Sequence, residues 1–196
     1  MHRNRNANLM GRLLGLICLI ALLAIPMAAL AGDDKFMDSD EYKDKDFHKG
    51  IITDYSDMVK GDEVNWQWVE KGMKLEEYRV SVESVVNKSD EHSRSMVEDV
   101  EKTFKDTFND MNVNKPKGTL KVSLAIVDAE PFNPGKAWIP FVGGHQMQAG
   151  IGVEAIVTDP SGKVVAKLRD FDREGTKIDE AASKVANHIA KFIYRH

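Results

Sequence analysis

The sequence predicts an α+β domain: a two-layer sandwich whose mostly antiparallel sheet carries two amphipathic helices on one face, in the order β-α-β-β-β-α. Three observations lead there. Two stretches repeat apolar residues at three- and four-residue steps: Met96, Val97, Val100, Phe104, Phe108 and Met111, then Ile178, Ala182, Val185, Ile189 and Ile193. Other stretches alternate apolar and polar positions, as half-buried strands do. Finally, Asp159-Pro160-Ser161-Gly162 puts proline second and glycine fourth in a four-residue turn, so two of those strands form a hairpin. Strands joined by short turns, with two one-faced helices among them, pack as one sheet under one helical layer.

The elements follow in order. "VNWQWV" alternates, placing Val64, Trp66 and Trp68 together on a short extended segment, and Tyr78, Val80 and Val82 align in a first full strand. Ser89 or Asp90 is placed to cap the first helix, whose far side carries Glu98, Glu101, Lys102 and Lys105. "NKPKG" at 114–118 stops that helix. Leu120, Val122, Leu124 and Ile126 line one face of the next strand; Met147, Ala149, Ile151, Val153, Ala155 and Val157 line another, and 163–171 returns from the turn. Thr176, with Asp179 three residues on, reads as the capping box of the last helix.

The first 31 residues stand apart. Arg3, Arg5 and Arg12 precede the apolar run Leu13–Ile25, then Pro26, then Ala29-Leu30-Ala31. That is the pattern of an export signal cleaved after Ala31, and the run is shorter than the roughly 20 residues a membrane span needs. The only cysteine, Cys18, lies inside this segment behind Ile17 rather than the small residue a lipidation box requires. Cleavage would leave no thiol, hence no disulfide, Cys-ligated metal or Cys nucleophile. It would also remove three of the 27 basic residues and none of the 31 acids, for a net charge of −7. Such a surface repels phosphate backbones, so no nucleic-acid partner is expected. Residues 32–49 mix acids and lysines without period and read as an acidic disordered leader. Residues 50–196 are then one domain. The expected location is periplasmic or secreted, with outer-membrane association a further option.

Enzyme and metal signatures are missing from the pattern. There is no Gly-x-Ser-x-Gly elbow, phosphate-binding loop, dinucleotide fingerprint or His-Glu-x-x-His pair, so no catalytic residue, metal site or cofactor is assigned. His92 and His188 read as solvated helix residues, and His145 as a loop histidine beside Gly143-Gly144. Asp170 and Asp172 share one side of a strand end opposite Arg169, Phe171 and Arg173; exposed ion pairing there is the plain account, a catalytic dyad the sharper one.

"GIITDYSDM" at 50–58 and "GIGVEAIVTDPSGKVVAKLRDFDREG" at 150–175 together resemble a bacterial envelope family of unknown function, mostly exported proteins or lipoproteins. Its marks are a Gly-x-x-x-Asp-Tyr-Ser opening motif and an Ala/Gly-rich strand ending in Asp-x-x-Gly. The matching positions are Gly50, Asp54, Tyr55 and Ser56, then Gly152, Glu154, Asp159 and Gly162. The resemblance implies an envelope location and no known catalysis; the missing lipidation box departs from it.

The stretch 131–147 raises the functional question. It holds Trp138, Ile139, Phe141 and Val142 among three prolines and three glycines, in a connection longer than compact domains usually carry. Burying four such side chains is worth roughly 1.5–3 kcal/mol each, so they are expected to be covered. They either plug their own domain or meet an envelope partner, a second copy or a membrane surface. Gly150 and Gly152 would form a smooth floor beneath them. The function expected is a non-catalytic exported envelope protein acting as an interaction or assembly component. The alternative is a periplasmic small-ligand-binding domain whose pocket lies between Trp66, Trp68 and the loop, with His145 at its rim.

Overall fold

The computed structural model describes residues 50–91, 93–112, 115–132, 134 and 148–196. The chain divides into two compact units, Met1–Asp33 and Asp34–His196, and all of these residues belong to the second.

Its elements are β1 (Val59–Lys60), β2 (Trp66–Val69), a 3-10 turn at Leu75–Glu77, β3 (Tyr78–Asn87), α1 (Arg94–Met111), β4 (Lys117–Glu130), β5 (Ala149–Thr158), β6 (Val164–Glu174) and α2 (Ile178–Arg195). The strands form one sheet in the order β1-β2-β6-β5-β4-β3. Every pairing is antiparallel except β3 with β4, which α1 connects as a crossover. The α+β architecture is therefore as the periodicity predicts, with two short strands added ahead of it.

Alternation decides what each strand contributes. Leu120, Val122, Leu124 and Ile126 of β4 and Ile151, Val153, Ala155 and Val157 of β5 face the helices, where Met96, Val100, Phe104 and Phe108 of α1 and Val185, Ile189 and Ile193 of α2 complete the main core. The hairpin closes as its turn chemistry requires. Gly162 has φ +86°, and the Asp159 carboxylate accepts hydrogen bonds from the Ser161 and Lys163 backbone N–H groups.

The caps differ from those expected. Ser93, not Ser89 or Asp90, caps α1 through Met96 N, because Ser89 is occupied with Asn87 in a turn of its own. At α2 the N-cap is Lys177, and the Glu180 carboxylate takes the Thr176 and Lys177 N–H groups, so Thr176 and Asp179 do not form the box. Val64 also parts from the two tryptophans. Ladder pairing of β2 begins at Trp66, so alternation does not reach back to Val64, which joins the helix-side core.

The opposite face of the sheet carries a second apolar cluster. Ile52, Tyr55 and Met58, from the segment before β1, lie with Trp66, Ala125, Val127 and Phe171. Residues 50–58 thus strap across the face that lacks helices.

Candidate functional site

β6 carries charged side chains to both faces. On the strap side, Lys167, Arg169 and Arg173 each meet an acid from a different element: Asp57 of the strap at 2.9 Å, Glu154 of β5 at 2.7 Å and Glu130 of β4 at 2.5 Å. The middle pair is the deepest. Glu154 is wholly buried and Arg169 nearly so. One oxygen of Glu154 accepts the Ile51 and Ile52 N–H groups at 2.7 and 2.9 Å; the other accepts the Tyr55 hydroxyl and Arg169 Nη1. Arg169 Nη1 also donates to the Tyr55 oxygen at 2.8 Å. Burial holds the Tyr55 phenol well above its ordinary pKa. A side chain at Gly50 would overlap the Glu154 carboxylate, so the strap can lie this close only with glycine there. Outside this centre, Lys167 donates to the Asp54 carbonyl and sits 5.3 Å from the centre of the Trp68 ring.

On the helix side, Asp170 is buried with its carboxylate 2.9 Å from His188 Nδ1 of α2, and it accepts the Asn65 N–H at 3.1 Å. Asn65 in turn accepts the Phe171 N–H at 2.7 Å. Asp172 lies 3.6 Å from the same imidazole nitrogen and 3.0 Å from Lys184. Desolvation raises the Asp170 pKa, and the hydrogen bond to Asp170 raises that of His188. The strand end read as exposed ion pairing is therefore corrected: β6 is an interior strand, its Asp170 is buried, and His188 is no solvated surface residue but its partner.

The other predicted positions fall as follows. Trp66 is buried within the second cluster and Trp68 half-buried against it. Gly150 has Phe171 and Arg173 over it, at 3.0 and 3.2 Å from where a Cβ would stand, and Gly152 pairs across the ladder with Phe171. The smooth floor is thus met by the chain's own aromatic ring. Trp138, Ile139, Phe141, Val142 and His145 lie outside the described residues. Asp170 and Glu154 were both in view in the sequence, but their partners were not. A signal for Glu154 exists: it is the lone charge in the strand "AGIGVEAIV", and the Asp159–Gly162 turn sets Arg169 opposite it.

Among the described residues, no cluster of three or more His, Asp or Glu has the geometry to hold a metal, and no helix is long and apolar enough to cross a membrane. A groove of about 930 Å³ runs between α1 and α2, lined by charged and polar residues including Lys102, Asp106, Asn187 and Lys191, with Tyr194 at one end.

No family model and no curated protein matches the chain. Among solved structures, the PelC dodecamer from Paraburkholderia phytofirmans is similar over 63% of this chain and 96% of its own, at 15% identity and a TM-score of 0.43. A leucine-to-methionine variant of that protein gives 66%, 98%, 15% and 0.42. A lipoprotein-class protein from Caulobacter crescentus gives 62%, 90%, 10% and 0.36. At TM-scores below 0.5 these likenesses carry no inference about what this chain does.

Proposed function

We propose that this chain is a non-catalytic exported envelope protein that works by contact, with an envelope partner or a second copy, through the stretch containing Trp138, Ile139, Phe141 and Val142. The observation that supports the reading is how the interior charges are employed. Glu154, Arg169 and Asp170 are employed in binding the strap, the segment ahead of β2 and α2 to the sheet, an arrangement that fits a contact platform better than a reaction centre. On that platform Gly150 already receives Phe171, so the apolar residues of 131–147 have less of their own sheet left to cover. Export follows from the signal-like segment and its expected cleavage after Ala31.

Light scattering across a concentration series, on the parent and on a Trp138→Ser/Phe141→Ser variant checked for folding, tests this. An oligomer that falls to a folded monomer supports the contact reading. A monomeric parent whose variant unfolds makes the stretch a core plug and removes the proposed contact.

A further inference from the structure

We propose that His188, Asp170 and Asn65 form a proton-operated latch that holds the β1–β2 flap, and with it Trp66 and Trp68, against the rest of the sheet. The flap is a marginal element. β1 has two residues and β2 four, and β2 hydrogen-bonds to the body of the sheet through β6, with Trp66 packed in the second apolar cluster. At its root, Asn65 donates its N–H to Asp170 and accepts the Phe171 N–H, while the other Asp170 oxygen faces His188. One buried carboxylate therefore joins α2, β6 and the flap.

The charged groups bearing on His188 are Asp170 and Asp172 of β6 and Lys184 of its own helix; the segment ahead of β2 offers Asp170 only an uncharged N–H. Lys184 is itself turned to Asp172 and Glu174, leaving His188 as the cation that answers Asp170. Loss of the imidazole proton leaves a buried carboxylate without its counter-charge, and the flap root is where that cost is relieved by letting water in.

The sign is fixed by the direction of both shifts. The folded-state pKa of His188 is raised, so its contribution is complete below about 6.5 and lost as pH rises through the folded value. Asp170 is also raised, which likewise disfavours the closed form as pH rises. Across that window the open-to-closed ratio increases up to about tenfold for each unit by which the His188 pKa is raised.

The chain has three tryptophans, so a Trp138→Phe background leaves Trp66 and Trp68 as reporters. Acrylamide quenching would be measured from pH 5.5 to 9 in that background and with His188→Gln added. His188 is part-exposed on a helix, so this variant is expected to fold, and glutamine keeps a neutral hydrogen bond to Asp170. The expected result is quenching that climbs with pH in the background protein and stays level in His188→Gln. Level quenching in the background protein, or the same climb in both, overturns the latch. An NMR titration of the His188 ring adds a second reading: a midpoint at or below the ordinary histidine value would also overturn it.

Discussion

Glu154→Gln changes one atom of a wholly buried side chain and removes its charge. The native carboxylate accepts four hydrogen bonds, from Ile51 N, Ile52 N, the Tyr55 hydroxyl and Arg169 Nη1. Glutamine offers one oxygen and one NH₂ in the same volume. With the NH₂ toward the strap, two backbone donors face a donor; turned the other way, it faces the Arg169 guanidinium. Either orientation removes the carboxylate charge that Arg169 Nη1 meets at 2.7 Å. Breaking a buried pair from one side costs about 3–5 kcal/mol, and each stranded donor about 1–3 kcal/mol, terms that overlap rather than add. A net loss of about 3–5 kcal/mol is therefore expected, a large share of a domain's usual 5–15 kcal/mol. For a domain of this size that lowers Tm by roughly 6–20 °C. Urea unfolding followed by tryptophan fluorescence measures the loss, and limited proteolysis within residues 50–58 shows whether the strap is what loosens. A companion Glu154→Leu/Arg169→Met variant separates charge from backbone. It should recover part of the loss, since no charge is stranded, but not all of it, since the Ile51 and Ile52 N–H groups still lack an acceptor. A Glu154→Gln protein within about 1 kcal/mol of the parent, below the cost of even one stranded donor, would refute the account of the strap.

Two further substitutions test neighbouring parts of the fold. Gly50→Ala should reproduce the strap phenotype from the opposite side, because the added methyl overlaps the Glu154 carboxylate; a loss of about 1–3 kcal/mol in the same urea assay is expected, with proteolysis again within residues 50–58. Asn112→Ala should act on the edge strand β3, where the Asn112 amide accepts the Val80 N–H at 2.7 Å and donates to the Val80 carbonyl at 2.8 Å, as a neighbouring strand would. Removing it costs about 1–2 kcal/mol and leaves open edge groups, so light scattering should show concentration-dependent association beyond that of the parent.

What the sequence determined by itself was the periodic faces and the tight turn, which depend on near neighbours. The three- and four-residue spacing of Val100, Phe104 and Phe108 marked the buried side of α1, and alternation marked the helix-facing sides of β4 and β5. Asp159, Pro160 and Gly162 determined the hairpin, since turn chemistry acts within four residues. Even the caps, which are local, were placed a few residues off, because Ser89 found a closer partner in Asn87.

Only the tertiary structure decided the second face. The strap is held by hydrogen bonds between residues 99 to 114 positions apart, and no periodic signal spans that distance. Asp170 illustrates the limit. Its side of the strand was evident from alternation, but its burial depends on β2 pairing with the far edge of β6 and on α2 crossing above. Until those elements meet, Asp170 and His188 look like ordinary surface residues. Once they do, leaving Asp170 unpaired in a desolvated interior would cost several kcal/mol, and that energy selects its partners.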